Sequence, residues 1–349
     1  MKPRVAIVGA GAVGGYVGGH MARAGENVIL IDPWAEHIDY IKRHGLHLSG
    51  TQGEHTVQVQ ALHLYEVQSL HKAPVDIAFI CTKSYDTAWA TTLIKDYLSP
   101  HGFVVSLQNS INEECIAGIV GWGRTLGCIA STIGVEAYKP GHIMRTLQPG
   151  GAAYTVFRVG EVHGRITARA QEVARLLSAV DSAKVTTNLW GERWTKLVVN
   201  AMGNGLSAVT GMNSLSMYTT EATRRLMIRL AGEAIRVGQA LGYEIEAIRG
   251  LPPEKWVAAA EGEPAALEEV EGAMLAATQR MTEAGRPSTA QDILKGRRTE
   301  IDFINGLVAA KGEEAGVPAP THAALTALVK RVERGELAPS PGIISYLNA

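Results

Sequence analysis

What the 349-residue chain lacks narrows its identity first. It has three cysteines, Cys81, Cys115 and Cys128, widely spaced and with no C-x-x-C pair. This argues against a disulfide framework or a zinc site, no metal is expected, and the thiols are expected to be buried small hydrophobes in the cytoplasm. Neither sign of charge is in excess: 33 Lys and Arg against 34 Asp and Glu give a formal net charge of -1, and there is no basic tract or acidic tail. Nucleic acid and anionic membranes are therefore not expected partners. No apolar run reaches the length of a membrane span. Lys2 and Arg4 ahead of an apolar stretch superficially resemble a secretory signal, but the glycines between Gly9 and Gly19 and the immediate β-α-β continuation account for it better. Internal repeats and low-complexity linkers are missing as well. A chain with 46% hydrophobic and 19% charged residues can bury a large core, is long enough for two domains, and has small molecules as its expected partners.

What is present is organised around residues 4–32. An apolar β-branched run, residues 5–8, leads into Gly9-Ala10-Gly11-Ala12-Val13-Gly14; an amphipathic stretch follows to Ala24, and a second apolar run, residues 28–31, ends on Asp32. This reads as strand, glycine turn, helix, strand. The acidic residue lies 21 positions after Gly11, the context that gives G-x-G-x-x-G its meaning. Gly9 permits the tight turn, Gly11 clears room for a pyrophosphate, Gly14 lets helix and strand pack closely, and the helix N-terminus offers unpaired N–H groups to phosphate. A glycine-rich turn that binds nothing is the bland alternative.

Further along, residues 36–43 read as a helix, 47–63 as short strands around Thr51-Gln52-Gly53, 75–81 as a buried strand ending at Thr82-Lys83, and 85–98 as a helix. Residues 103–107 form another strand with Gln108-Asn109-Ser110 at its carboxyl end, where ligands sit in open α/β sheets. From 127 to 162 the pattern is β, followed by a helix over 167–179 and a short strand over 183–187. Strand signals then vanish. The expected fold is an α/β Rossmann-type domain over 1–187 followed by an all-α domain over 188–349.

Two polar constellations in the helical half need a reason. Lys196, Asn200 and Asn204 recur every four residues, along one side of a helix whose other side carries Trp194, Leu197, Val198 and Ala201. Asparagine is a poor helix former, so two of them invite explanation, with a solvated face as the alternative. Ser288 with Gln291 fits a capping box opening a helix that carries Asp292, Glu300, Asp302 and Asn305; a plain cap, with Glu300 paired to Arg297 on the surface, is the alternative.

Taken together, Gly9-x-Gly11-x-x-Gly14, Thr82-Lys83, Gln108-Asn109, the run Lys196 to Asn200 with Asn204, and Ser288-x-x-Gln291-Asp292 through Thr299-Glu300 to Asn305-Gly306 resemble ketopantoate reductase (2-dehydropantoate 2-reductase). The resemblance covers nearly the whole chain in order. It implies that the first domain binds NAD or NADP through residues 9–14, Asp32, Lys83 and Asn109. The second is expected to be a helical domain like the C-terminal domain of 6-phosphogluconate dehydrogenase, with substrate in the cleft between the domains. Lys196 is the implied general acid, Asn200, Asn204 and Ser288 the implied substrate contacts, and Glu300 the implied carboxylate near the nicotinamide and the lysine.

These residue types suit the chemistry independently. Hydride delivered to a ketone carbon leaves negative charge on oxygen, which an ammonium stabilises and then protonates. Asp32 favours NAD, because a carboxylate accepts bonds from ribose hydroxyls and repels a 2′-phosphate; NADP is the alternative. Two positions depart from the family pattern: Ser110 stands where glycine is usual, and Gly285 where an asparagine often holds the substrate. Recognition of the terminal hydroxyl of ketopantoate is expected to weaken in favour of a bulkier or less polar carbonyl compound. The other readings are a β-hydroxyacid dehydrogenase, against which Gly191 to Lys196 is one residue too long, and a dinucleotide sensor without turnover, which would need neither Lys196 nor Glu300. A homodimer and a monomer both remain open.

Overall fold

The computed structural model describes residues 2–283 and 285–347. The chain divides into two compact units, Met1–Leu189 and Trp190–Ala349.

In the first unit, chain order runs β1 (Arg4–Val8), α1 (Ala12–Arg23), β2 (Asn27–Ile31), α2 (Ala35–His44), β3 (Leu46–Gly50), β4 (His55–Val57), β5 (Gln60–Leu62), β6 (Val75–Ile80), α3 (Thr87–Lys95), β7 (Leu98–Ser106), α4 (Glu113–Val120), β8 (Thr125–Ala130), β9 (Val135–Lys139), β10 (His142–Arg145), β11 (Phe157–Glu161), α5 (Ala168–Leu177) and β12 (Ala183–Thr186). Eight strands form one sheet in the order β12-β11-β8-β7-β6-β1-β2-β5. Every pairing in it is parallel except that of β8 with β11. Side chains alternate along a strand, so Val5, Ile7, Val28, Leu30, Ile77 and Phe79 enter one core, and Ala6, Val8, Ile29, Ile31, Ala78 and Ile80 the other. A sheet covered on both faces explains why these strands read as continuous apolar runs. A smaller sheet, β4-β3-β10-β9, accounts for the remaining β pattern.

The helix expected over 85–98 is shorter. Leu98 instead pairs with Val75 and begins β7, sheet pairing overriding the local pattern. The thiol expectation also needs correction, since Cys115 is exposed on α4, whereas Cys128 is buried.

The second unit consists of α6 (Leu189–Thr210), α7 (Ser214–Thr219), α8 (Glu221–Ala240), α9 (Pro253–Ala260), α10 (Pro264–Ala277), α11 (Ser288–Leu294), α12 (Asn305–Glu314) and α13 (Pro320–Glu333), with short 3₁₀ turns. Trp194, fully buried, donates its indole N–H to the Ala234 carbonyl and so locks α6 to α8. A buried polar network joins α8, α13, α12 and α6. The Glu233 carboxylate accepts from the Thr321 hydroxyl and from the Thr321 and His322 N–H groups. His322 Nε2 donates to the Leu230 carbonyl at 2.8 Å, which leaves Nδ1 to accept from Asn305 Nδ2 at 3.0 Å. The same amide donates to the Ala201 carbonyl of α6 at 2.8 Å. Burial pushes the His322 pKa down to about 4, so the imidazole is neutral and keeps this pattern at pH 7. Among the described residues, no helix is long and apolar enough to cross a membrane.

Candidate active site

The glycine loop between β1 and α1 shows a distinct role for each glycine. Gly9 has φ +95°, and a Cβ there would lie 2.7 Å from the Thr82 nitrogen; a Cβ on Gly14 would lie 2.1 Å from the Gly9 carbonyl oxygen. A Cβ on Gly11 would meet nothing within 4 Å. The chain is therefore tight where the turn and helix need it and open where a ligand backbone needs room. Gly11 caps α1, the first turn of which, with Ala12 and Val13, holds no acidic side chain; its N–H groups and dipole are available to an anion. These features fit a dinucleotide pyrophosphate.

Asp32 follows β2, half-buried, and accepts the Trp34 N–H at 2.9 Å. Burial raises its pKa, against the backbone N–H groups of Trp34 and Ala10 and the nearby His37, which lower it. Lys83 and Asn109 are half-buried just beyond the carboxyl ends of β6, which pairs with β1, and of β7, the next strand in the sheet. The two strand ends are laced together. Gln108 Nε2 donates to the Thr82 carbonyl at 2.9 Å and to the Thr87 hydroxyl at 3.0 Å, while the Asn109 carbonyl accepts from Asn112 Nδ2 at 2.7 Å. Ser110 then takes φ +67°, the left-handed region that glycine enters freely, which explains why glycine is the usual residue here.

In the second unit, Lys196, Asn200 and Asn204 all lie on α6, along its one accessible line. From Lys196 to Thr210 every residue is buried except Lys196, Val199, Asn200 and Asn204, a spacing of i, i+3, i+4 and i+8 that draws one open line on an otherwise enclosed helix. Asn204 Nδ2 donates to the Ser288 hydroxyl at 3.4 Å, joining two of the expected substrate contacts. Val199 escaped the sequence reading, which followed polar residues only; its position three residues after Lys196 was the available signal.

Two details of the 288–305 block need correction. Ser288 is the first residue of α11, not its cap: Pro287 holds the N-cap position with no side-chain cap bond, and Gln291 Nε2 donates instead to the Arg286 carbonyl. Proline cannot serve as a side-chain cap but presets the extended entry, so the helix starts without a capping box. Nor does one helix carry the whole block. It stops at Leu294, Gly296 takes φ +62°, a left-handed stop, and α12 begins only at Asn305. Between them Glu300 is 4% exposed, whereas Arg297 is exposed, so a surface pair does not describe it. Ile301 packs against α6, where a Cβ on Gly205 would lie 2.9 Å from its Cδ1. Asn305 bonds to Ala201. The segment carrying Glu300 is thus fastened to the helix that carries Lys196. Among the described residues, no group of three or more His, Cys, Asp or Glu side chains could hold a metal ion.

A doubly covered, mostly parallel sheet with an open glycine loop, followed by a helical unit, defines a protein with a Rossmann-type dinucleotide-binding domain and a helical C-terminal domain. Residues 5–156 match the family model of ketopantoate reductase PanE/ApbA, and residues 188–333 match that of its C-terminal domain. A 2-dehydropantoate 2-reductase of Archaeoglobus fulgidus is 30% identical over 334 residues, covering 95% of this chain and 98% of the relative. The crystal structure of a PanE/ApbA family ketopantoate reductase from Ralstonia eutropha JMP134 superposes with a TM-score of 0.78 at 27% identity, covering 95% of this chain and 99% of that one. A D-mandelate dehydrogenase solved with NADH and anilino(oxo)acetate shares the fold, with a TM-score of 0.79 at 24% identity and coverage of 96% and 100%. The chain belongs to the ketopantoate reductase family, whose members are NAD(P)H-dependent oxidoreductases acting on 2-oxo acids or ketones.

Proposed function

We propose that this chain reduces a 2-oxo acid to the 2-hydroxy acid with NADH, and that Lys196 supplies the proton. The observation that carries this reading is the single open line on α6, where the only cation of an otherwise enclosed stretch stands with two amides and beside the serine bonded to Asn204. A nicotinamide held by the first unit would supply the hydride. The Lys196 ammonium stabilises the charge developing on the carbonyl oxygen and protonates it. Asn200, Asn204 and Ser288 orient the substrate by neutral hydrogen bonds, and Glu300 keeps the lysine charged and directed. Residues 9–14, Lys83 and Asn109 hold the cofactor, and Asp32 gives it its NADH preference.

Relatives carry the name 2-dehydropantoate 2-reductase, and ketopantoate is the reference substrate for this chain. Gly285 brings no side chain, and neighbouring Arg286 is engaged with the Gly211 carbonyl at 3.0 Å. Both support a site with weakened recognition of the terminal hydroxyl. The test compares kcat/KM for ketopantoate, its deoxy analogue and branched or aromatic 2-oxo acids, each with NADH and NADPH, in the wild type, Gly285→Asn and Asp32→Arg. We expect the less polar substrates and NADH to be favoured, Gly285→Asn to raise ketopantoate turnover, and Asp32→Arg to shift preference toward NADPH. Ketopantoate winning by orders of magnitude in the wild type would overturn the substrate assignment; a clear NADPH preference would overturn the cofactor assignment.

A further inference from the structure

His37 lies in α2, outside every motif of the dinucleotide site, and is completely buried. Its two ring nitrogens face two different backbone groups. The Gly141 N–H points at Nδ1 at 3.0 Å, so Nδ1 must be the unprotonated acceptor. The proton is then on Nε2, which lies 3.0 Å from the Ala10 carbonyl oxygen and donates to it. Burial lowers the pKa of the ring and favours this neutral form. Trp34 stacks on the imidazole at 5.0 Å between centroids and 11° between planes, fixing its orientation.

The Ala10 carbonyl belongs to the peptide that links Ala10 to Gly11, in the middle of the glycine loop. None of the described peptide bonds is cis, and in a trans peptide the carbonyl and the N–H of the same unit point in opposite directions. Holding the Ala10 carbonyl toward α2 therefore turns the Gly11 N–H away from α2. Gly11 is the residue with open space around it, and its N–H has no partner within α1. The rest of the loop is tied to the same strand and helix: Gly9 donates to the Ile31 carbonyl at 2.8 Å, and Trp34, which donates to Asp32, stacks on His37.

We infer that His37 is a positioning residue for the dinucleotide, aiming the Gly11 N–H at the pyrophosphate by holding the Ala10 carbonyl, while its other nitrogen docks the β9–β10 turn. The two bonds separate by substitution. His37→Gln places an amide N–H where Nε2 stands and keeps the bond to Ala10. His37→Asn reaches only as far as Nδ1, so it keeps an acceptor for Gly141 and loses Ala10.

The test is isothermal titration of wild type and both variants with NADH, NADPH and ADP-ribose, performed well below each variant's Tm. We expect His37→Asn to weaken all three ligands by about tenfold, the scale of one lost hydrogen bond, and His37→Gln to stay within about twofold of the wild type. Losses common to NADH and ADP-ribose place the effect on the half of the cofactor that the two share. A purely structural role would lower Tm in both variants and leave the dissociation constants of the folded protein unchanged, which overturns the inference. So does an equal loss of affinity in the two variants. A wild type that binds none of the three ligands overturns the dinucleotide reading together with the inference, whereas normal wild-type binding with unaltered His37→Asn overturns the inference alone.

Discussion

Under the proposed function, the two units build their halves of the chemistry from different material. In the first, the working groups are mainly backbone: N–H groups at the start of α1, a carbonyl held by His37, and strand ends fastened by amide side chains. In the second they are side chains, a lysine and two asparagines on one line of α6, with a serine bonded to that line. Backbone groups suit a cofactor that presents the same phosphates and ribose in every turnover. Side chains suit a substrate, since a single codon changes them without disturbing the chain path. The comparison teaches where substitution changes chemistry and where it breaks the frame.

The largest expected effect tests the side-chain half. Lys196→Ala is expected to lower kcat by roughly 10²–10⁴, the range for a positioned general acid, and to leave NADH affinity within about twofold of the wild type. Steady-state kinetics alongside cofactor titration give both numbers. Near-normal turnover would remove Lys196 from the mechanism and, with it, the contrast between the units.

A second prediction concerns a property the units share. Each buries a histidine with a pKa of about 4: His20 on α1, depressed by burial and by Arg23, His55 and Arg145, and His322 on α13, depressed by burial alone against one backbone bond. Such a group binds fewer protons folded than unfolded, so it leaves stability full above pH 6.5 and lowers it as pH falls toward 4. Tm should be flat above pH 6.5 and should decline below it. His322→Gln, which keeps a donor and does not titrate, should flatten part of that decline. A Tm profile unchanged by the substitution would mean that His322 does not contribute.

The smallest expected effect tests the backbone half. If the loop after β7 depends on its chain path, Ser110→Gly should leave stability unchanged or raise it by at most about 1 kcal/mol, since glycine relieves the positive φ but costs unfolded-state entropy. Ser110→Val, β-branched at the same φ, should lose more than that. Chemical denaturation of the three proteins decides the matter. A loss with glycine as large as with valine would make the serine side chain, not the conformation, the essential feature.

How much of this could be read from the residues follows the same division. The glycine loop was legible because each glycine answers a local demand, and the parallel sheet because strands buried on two faces leave uninterrupted apolar runs. The polar stripe on α6 was visible as a period of four, but its enclosure was not, since burial depends on α8, α12 and α13 arriving from far along the chain. The 288–305 block misled in its helical extent. The left-handed φ of Gly296 ends α11 there, a stop that the polar spacing of the block does not register. His37 gave no signal at all: its partners are backbone groups 27 and 104 residues away, and backbone partners leave no trace in composition or spacing.

The single open line on α6 also bears on how such an enzyme changes over evolutionary time. A helix packed at nearly every other position between Lys196 and Thr210 offers selection few sites to vary. Of the four that remain open, one carries the cation and two carry amides. Under the proposed function, drift in what the enzyme accepts is channelled to Val199 and to the segment around Gly285 and Ser288, which is held near α6 by the bond from Asn204 to Ser288 and, just past the end of that helix, by Arg286 on the Gly211 carbonyl. On that reading, a lineage built on this scaffold acquires a new substrate by rewriting a short stretch of chain ahead of α11 while α6 stays almost letter for letter the same.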